Sequence, residues 1–380
     1  VEKTFDNWLR DPADGGAPLQ LSIDLSVQAT VEEVLDGGMR LMNAKGATAI
    51  LMDVKTGEII SMASLPDFDP NTRPQPLTKG PAGDSPLFNR AVQGVYELGS
   101  TFKIFAVAQA LDLGIVTPDT VVDTKTPMFW GKYKINDFHN YGAELPVTEV
   151  IVKSSNVGTA HIIGMVGPER QQTFLKSLGL FEPTPVELIE APTGKPLVPK
   201  KWSEISMLTI SYGHGLSASP LHLAAAYAAM VNGGTRVQPT VLKTNKPQQG
   251  ERVISEKTSA QVRSLLRQVV VRGTASFGEV PGYAVGGKTG TADKAKPTGG
   301  YYDDKVIATF ASFFPAYDPK YVLIVTLDEP VESSGSEPRR TAGWTSVPVA
   351  AEMIRRVAPL LGLRPEVEPG AEAALTTVKN

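Results

Sequence analysis

Apolar spacing gives the first outline of the chain. Val31, Val34, Leu35, Met39 and Met42 recur at the three- and four-residue interval of one helix face, and Ser26 stands where an N-cap belongs. Residues 47–54 and 58–63 are strand-like apolar runs, and Lys55-Thr56-Gly57 between them carries a hairpin signal. After a Pro- and Asp-rich stretch at 65–89, Phe102, Phe105, Ala106, Ala110 and Leu113 return to helical spacing until Gly114 stops it. Further helical segments are expected over 147–153, 157–165, 169–178, 220–231 and 259–270. Residues 306–314 and 321–327 read as strands apolar on both faces, joined by Ala316-Tyr317-Asp318-Pro319, which predicts a sheet covered on both sides. A last amphipathic helix over 348–361 turns Ala351, Ile354, Val357 and Leu361 inward.

Strands near both ends with a helical block between them predict an α/β (α+β) fold whose sheet is assembled from both chain ends. The expected organisation is a strap or linker over 1–20, a body over 21–365 and a frayed tail over 366–380. Within the body, about 21–90 and 271–365 build the sheet and about 91–270 the helical part. Thirty-five glycines and thirty prolines exceed ordinary usage, and loops are expected at 65–89, 183–199 and 281–300.

Composition removes several classes of function. With no cysteine, disulfides, thiolate catalysis and zinc-thiolate sites are excluded. A net charge of -3 offers no general attraction for nucleic acid or anionic lipid. No apolar run approaches the ~18 residues of a membrane span. The chain opens on Val1 without a targeting signal, so an upstream segment is expected. His139, His161, His214 and His222 lack ligand spacing, so no metal is expected. The G-x-S-x-G elbow of a histidine-based hydrolase is absent.

Lys288 sits in a segment open to two mechanisms. Residues 282–289 satisfy the phosphate-loop pattern G-x-x-x-x-G-K-T, but such a loop must open a helix. Gly290 directly after Thr289, and Pro297 soon behind, make a poor one. The other mechanism joins Lys288 to upstream serines. Ser100 and Lys103 lie three residues apart at a helix start, so both project from one face, where a neutral amine is placed to take the serine proton. Ser100 is the only serine with Lys three positions later. Ser154-Ser155-Asn156 is the only S-x-N and falls between two helical segments, where it serves either as a helix cap or as a proton shuttle and substrate clamp. K-T-G occurs at 55–57, as ordinary turn chemistry, and at 288–290 amid glycines that let a ligand approach the backbone.

The ordered set S-x-x-K, S-x-N, K-T-G is shared by penicillin-binding proteins and class A β-lactamases. Ser154 follows Ser100 by 54 positions and Lys288 follows Ser154 by 134. Supporting segments include Tyr96-Glu97-Leu98-Gly99-Ser100, Tyr212-Gly213-His214-Gly215, Gly273-Thr274-Ala275 and Asp328-Glu329-Pro330. Over about residues 20–365 the chain resembles the transpeptidase domain of class B penicillin-binding proteins, the peptidoglycan D,D-transpeptidases. Ser154-Ser155-Asn156-Val157-Gly158 is most similar to the division-specific septal enzyme, whereas elongation-type relatives usually carry Asp in place of Asn156. Leu98 stands where the family usually has Pro, and Ser219-Pro220 and His222 replace a commoner Thr-Pro and Gln.

The resemblance implies the penicillin-recognising serine transpeptidase or β-lactamase-like fold, an antiparallel sheet between helices beside a mostly helical subdomain. It implies that Ser100 attacks a stem peptide ending in D-Ala-D-Ala, with Lys103 as base, and that β-lactams acylate the same serine. Ser154, Asn156 and Lys288 complete the catalytic set, while Thr289, Gly290 and Thr291 bind substrate and no cofactor takes part. It further implies an anchor in the cell inner membrane, a periplasmic location, and glycosyltransferase and divisome membrane partners. A class A β-lactamase deacylates through Glu on an E-x-x-x-N loop, and none of the ten asparagines has Glu four positions earlier. A D,D-carboxypeptidase, an elongation-type transpeptidase and a non-catalytic β-lactam-sensing or assembly module remain as alternatives.

Overall fold

The computed structural model describes residues 1–11 and 18–366. The expected tail at 366–380 therefore lies almost wholly outside the described residues, as does the middle of the expected strap. The strap's first part holds a short helix, α1 (Asp6–Arg10).

Five strands form one antiparallel sheet: β1 (Gly46–Asp53), β2 (Ile59–Leu65), β7 (Gly286–Ala295), β8 (Tyr301–Phe314) and β9 (Tyr321–Asp328). Their order is β2-β1-β9-β8-β7, so the two early strands join the late ones through the β1–β9 seam. Ala49 faces Val325 across that seam, and Lys288 faces Ala311 across β7–β8. Between the two groups of strands run two small hairpins and seven helices. The hairpin strands are β3 (Val121–Asp123), β4 (Met128–Trp130), β5 (Tyr133–Ile135) and β6 (Glu144–Pro146), which pair as β3–β6 and β4–β5. The helices are α3 (Lys103–Asp112), α4 (Val147–Lys153), α5 (Asn156–Val166), α6 (Pro168–Ser177), α7 (Glu204–Ser211), α8 (Pro220–Val231) and α9 (Glu256–Arg272).

Two helical layers cover the sheet. Helix α2 (Leu25–Leu41) packs with α10 (Ser346–Leu360), so tightly that a Cβ on Gly38 would meet the Val349 methyls at 2.7 Å. Helices α8 and α9 form the other layer. Strand β9 is buried along almost its whole length, as the two-faced apolar pattern predicts. Arg90, 1% exposed, reaches Asp328 at 3.7 Å and the Gly83 carbonyl, tying the segment before Ser100 to the end of β9.

The structure corrects two sequence expectations and adds elements that the sequence pattern did not suggest. Asp24, not Ser26, caps α2, accepting from the Ser26 and Val27 amides at 2.9 and 3.0 Å; the carboxylate lies one residue before the first helical turn. Half of the expected loop at 281–300 is strand β7, because pairing with β8 overrides the low strand preference of its glycines. Helix α7 and the small hairpins carry no strong periodic signal and go unpredicted.

Candidate active site

Ser100 lies in a short 3-10 turn, Gly99–Phe102, that leads directly into α3. Its carbonyl neighbourhood is fixed from below: the Thr101 hydroxyl donates to Leu98 O at 2.9 Å, and the Tyr227 hydroxyl donates to Thr101 O at 2.7 Å. Burial pushes the Tyr227 hydroxyl well above the usual tyrosine range, so it remains a donor. Edge strand β7 runs against this turn. A Cβ on Gly290 would lie 2.2 Å from Leu98 O, and one on Gly213 would lie 1.9 Å from Gly99 O. Glycine at these places lets the Ser100 turn, the edge strand and the 212–215 loop converge backbone to backbone.

Ser154 ends α4 in the left-handed conformation, φ 63°, and Ser155 then caps α5 by accepting from the Gly158 amide at 2.9 Å. The break between helices anticipated from S-x-N is real, and it projects Ser154 between two amines. Lys103 Nζ donates to Ser154 Oγ at 3.0 Å and also to the Ser154 carbonyl. Lys288 Nζ donates to the same Oγ at 2.9 Å and to Thr289 O at 3.1 Å. Lys103 thus points its donors at Ser154 and not at Ser100. A neutral amine has two N–H donors and one lone pair, so these two bonds leave the lone pair of Lys103 unengaged.

Electrostatics favour that neutral form. Lys103 and Lys288 are 1% and 0% exposed. Burial, and then the neighbouring Lys288 charge, hold Lys103 well below the ordinary lysine range, against a smaller upward pull from Asp137. Burial brings Lys288 down to about 7. Two ammonium groups around one hydroxyl are disfavoured in a buried site, so each lysine opposes the charged form of the other.

The other expected residues also gather here. The Thr289 hydroxyl shares a 2.6 Å hydrogen bond with that of Thr274, and Thr291 Oγ1 accepts from the Ala342 amide at 3.0 Å. Asn156 Nδ2 donates to the Asn136 carbonyl at 2.8 Å. The first K-T-G copy forms the β1–β2 turn, as expected of it, with Asp53 accepting from the Lys55 and Thr56 amides at 2.8 Å. Because β7 is a strand, no helix opens after Thr289, and the phosphate-loop reading falls.

Sequence reasoning missed Asp137. Its carboxylate accepts from Ser155 Oγ at 2.7 Å and from the Asn156 and Val157 amides at 2.5 and 3.0 Å, fixing the start of α5 and hence the S-x-N turn. No motif spacing marks it; only the fold brings it within reach. Glu97 belongs to no catalytic motif, yet it joins three elements. It accepts from His214 Nδ1 at 3.1 Å, the Gly215 amide at 2.7 Å and the Tyr301 hydroxyl at 3.0 Å, linking the Ser100 approach to the 212–215 loop and the β7–β8 hairpin. Burial raises the Glu97 pKa, but these donors bring it below the usual carboxylate value.

Comparison with known proteins gives this geometry its context. The family described as "Penicillin binding protein transpeptidase domain" matches residues 47–350, which include every residue named above around Ser100. The chain belongs to the penicillin-binding protein transpeptidase family. It is 40% identical to "Probable peptidoglycan D,D-transpeptidase FtsI" of Caulobacter vibrioides, over 97% of this chain and 63% of that protein. It is 36% identical to the probable peptidoglycan D,D-transpeptidase PenA of Neisseria meningitidis, over 87% of this chain and 55% of the relative. The chain thus spans between about half and two thirds of these curated relatives. The transpeptidase domain of Burkholderia pseudomallei penicillin-binding protein 3 superposes with a TM-score of 0.80 at 34% identity, covering 93% of this chain and 99% of that one. The penicillin-recognising fold expected of the family is the fold observed. Among the described residues, no helix is long and apolar enough to cross a membrane.

Proposed function

We propose that the chain is a serine acyltransferase, a peptidoglycan D,D-transpeptidase working through a Ser100 acyl-enzyme. The observation that carries this reading is the Ser154 hydroxyl held between the Lys103 and Lys288 amines beside the Ser100 turn. Ser100 Oγ bonds to the carbonyl carbon of the penultimate D-Ala while Lys103 takes the hydroxyl proton. The oxyanion sits between the amides of Ser100 and Thr291, whose backbones Gly99 and Gly290 bring together. As the tetrahedral intermediate collapses, the C–N bond breaks and a proton passes through Ser154 and Lys288 to the leaving D-Ala amine. The amine of a second stem peptide then attacks the ester, forms the cross-link and frees Ser100. When Thr274 donates to Thr289, the Thr289 O–H is left for substrate, as is the O–H of Thr291. Asn156 guides the stem-peptide amide.

The names of the relatives and the Ser154-Ser155-Asn156 motif support a role in septal wall synthesis, cell division and cell shape. That role places the catalytic domain on the periplasmic face of the inner membrane, working with a glycosyltransferase and divisome membrane partners. The deciding experiment is covalent labelling with a fluorescent penicillin, read by intact mass. Wild type is expected to gain one adduct and Ser100→Ala none; equal labelling of both sinks the reading. Rapid release of hydrolysed antibiotic points to a β-lactamase instead.

A further inference from the structure

The β4–β5 hairpin ends one residue before Asn136, and its alternation sorts its side chains. Met128 pairs with Ile135 and Trp130 with Tyr133, so these four share one face, while Phe129 and Lys134 take the other. At its base the shared face is core: Ile135 is buried and Met128 packs against the main apolar cluster. At its tip, where Gly131 turns the chain at φ 58°, the same face is uncovered, with Trp130 39% and Tyr133 47% exposed. The two rings overhang a cleft of about 310 Å³ whose far wall is Ser203, Glu204 and Ile205 at the start of α7.

The lining of this cleft is amphipathic. Two aromatic rings and Ile205 offer apolar surface, and two charged groups stand at the rim. Lys132 Nζ lies 5.5 Å from the centre of the Tyr133 ring, and the Glu204 carboxylate has no hydrogen bond or ion pair among the described residues. A pyranose ring matches such a lining, because its C–H face is apolar while its hydroxyl and acetamido groups point outward as donors and acceptors. The volume stands at the lower end of the ~300–1,000 Å³ of small-ligand sites, which gives room for a sugar and not for a helix. The position of the cleft selects which sugar. The Asn136 carbonyl accepts from Asn156, and Asp137 holds the start of α5, so β5 runs straight into the S-x-N turn. From Tyr133 to Asn136 is at most about 11 Å of extended chain. In a stem pentapeptide four residues separate the sugar from the reacting carbonyl, at most about 14 Å. The two lengths are comparable, so one substrate can fill both places.

We infer that the Trp130–Tyr133 cleft is a subsite for the N-acetylated amino sugar that carries the stem peptide. The inference rests on the acyl-transfer reading above and deepens it. The substrate is then a glycan-linked stem peptide, gripped at its sugar by the hairpin and at its D-Ala end by the serine site.

The test measures how well two ligands shield Ser100 from a fluorescent penicillin on the 380-residue chain. One is a stem pentapeptide ending in D-Ala-D-Ala; the other is the same peptide carrying its N-acetylated disaccharide. Each variant is scored against its own labelling rate without ligand, and folding is read by thermal melts. On wild type the sugar-bearing peptide should half-protect at a concentration about 3–10-fold lower, the worth of one stacked aromatic contact. Trp130→Ala and Tyr133→Ala should each erase most of that advantage. Glu204→Gln, on the far wall, should reduce it without touching the hairpin, whereas Phe129→Ala, on the hairpin's other face, should keep it. Equal protection by the two ligands on wild type, including none from either, overturns the subsite. So does an advantage that survives all three cleft variants or falls equally with Phe129→Ala. A wild type that forms no Ser100 adduct with the penicillin alone overturns the acyl-transfer reading itself.

Discussion

Lys103 and Lys288 donate to one oxygen, the Ser154 hydroxyl, at 3.0 and 2.9 Å. This makes the Ser154 hydroxyl a hydrogen-bonded link between an amine on a helix and an amine on a sheet strand. Removing its hydroxyl should separate the two. Ser154→Ala and Ser154→Gly are both expected to slow penicillin acylation by about 100-fold or more, the usual worth of a positioned proton carrier. The two should differ in stability. Residue 154 has φ 63°, a conformation costly for alanine and free for glycine, so Ser154→Gly should melt higher than Ser154→Ala. Equal melting temperatures would contradict the strain, and retained acylation would contradict the relay.

The pH profile reports on Lys103. Only the neutral amine accepts the Ser100 proton, so acylation should rise with pH and level off well below the ~10.4 of an unperturbed lysine. Asp137 pulls the Lys103 pKa upward, so Asp137→Asn should move the midpoint of the profile to lower pH. A midpoint that moves up, or stays fixed, would count against this coupling.

Stability should carry the imprint of Lys288. Its folded pKa, about 7, lies below the unfolded lysine value, so between the two the unfolded chain binds more protons and stability rises with pH. The cost is full below about pH 7 and is relieved as pH climbs toward ~10.4. Lys288→Met, with no proton to lose, should therefore melt higher than wild type at pH 6 and lose that advantage near pH 10, while being unable to complete acyl transfer. Melting curves across that range decide it; an advantage that grows with pH would reverse the sign.

Gly290→Ala probes the backbone approach. Its Cβ would press within 2.2 Å of Leu98 O, and neither strand nor turn has a flexible side chain to give way. The variant should lose about 1–3 kcal/mol in denaturant melts, with acylation falling further than stability because the oxyanion gap opens. Wild-type acylation in this variant would show that the gap tolerates widening.

Much of the site was legible because its chemistry is carried by local motifs. Ser100 with Lys103, Ser154 with Asn156, and Lys288 each sit in a short pattern whose residue types announce a proton-transfer task. What escaped depends on distant partners. Strand β7 looks like a loop because Gly286, Gly287 and Gly290 have no strand preference of their own, and only the register with β8 makes it a strand. Asp137 and Thr274 bear ordinary side chains in irregular segments, and their roles arise from what the fold sets against them. The same holds for Asp24, which takes the capping place that periodicity alone offered to Ser26.

The position of β9 between β1 and β8 also sets a timetable for the chain as it leaves the ribosome. The Ser100 turn emerges long before β9, but until residues 321–328 arrive the β1–β2 and β7–β8 hairpins have no common seam. Lys288 then lacks the completed sheet that sets β7 beside Ser154. A nascent or truncated chain that stops short of β9 carries all three motifs and is expected to be unreactive toward a penicillin. Penicillin labelling of such truncated chains would test whether β9 is needed to set Lys288 beside Ser154.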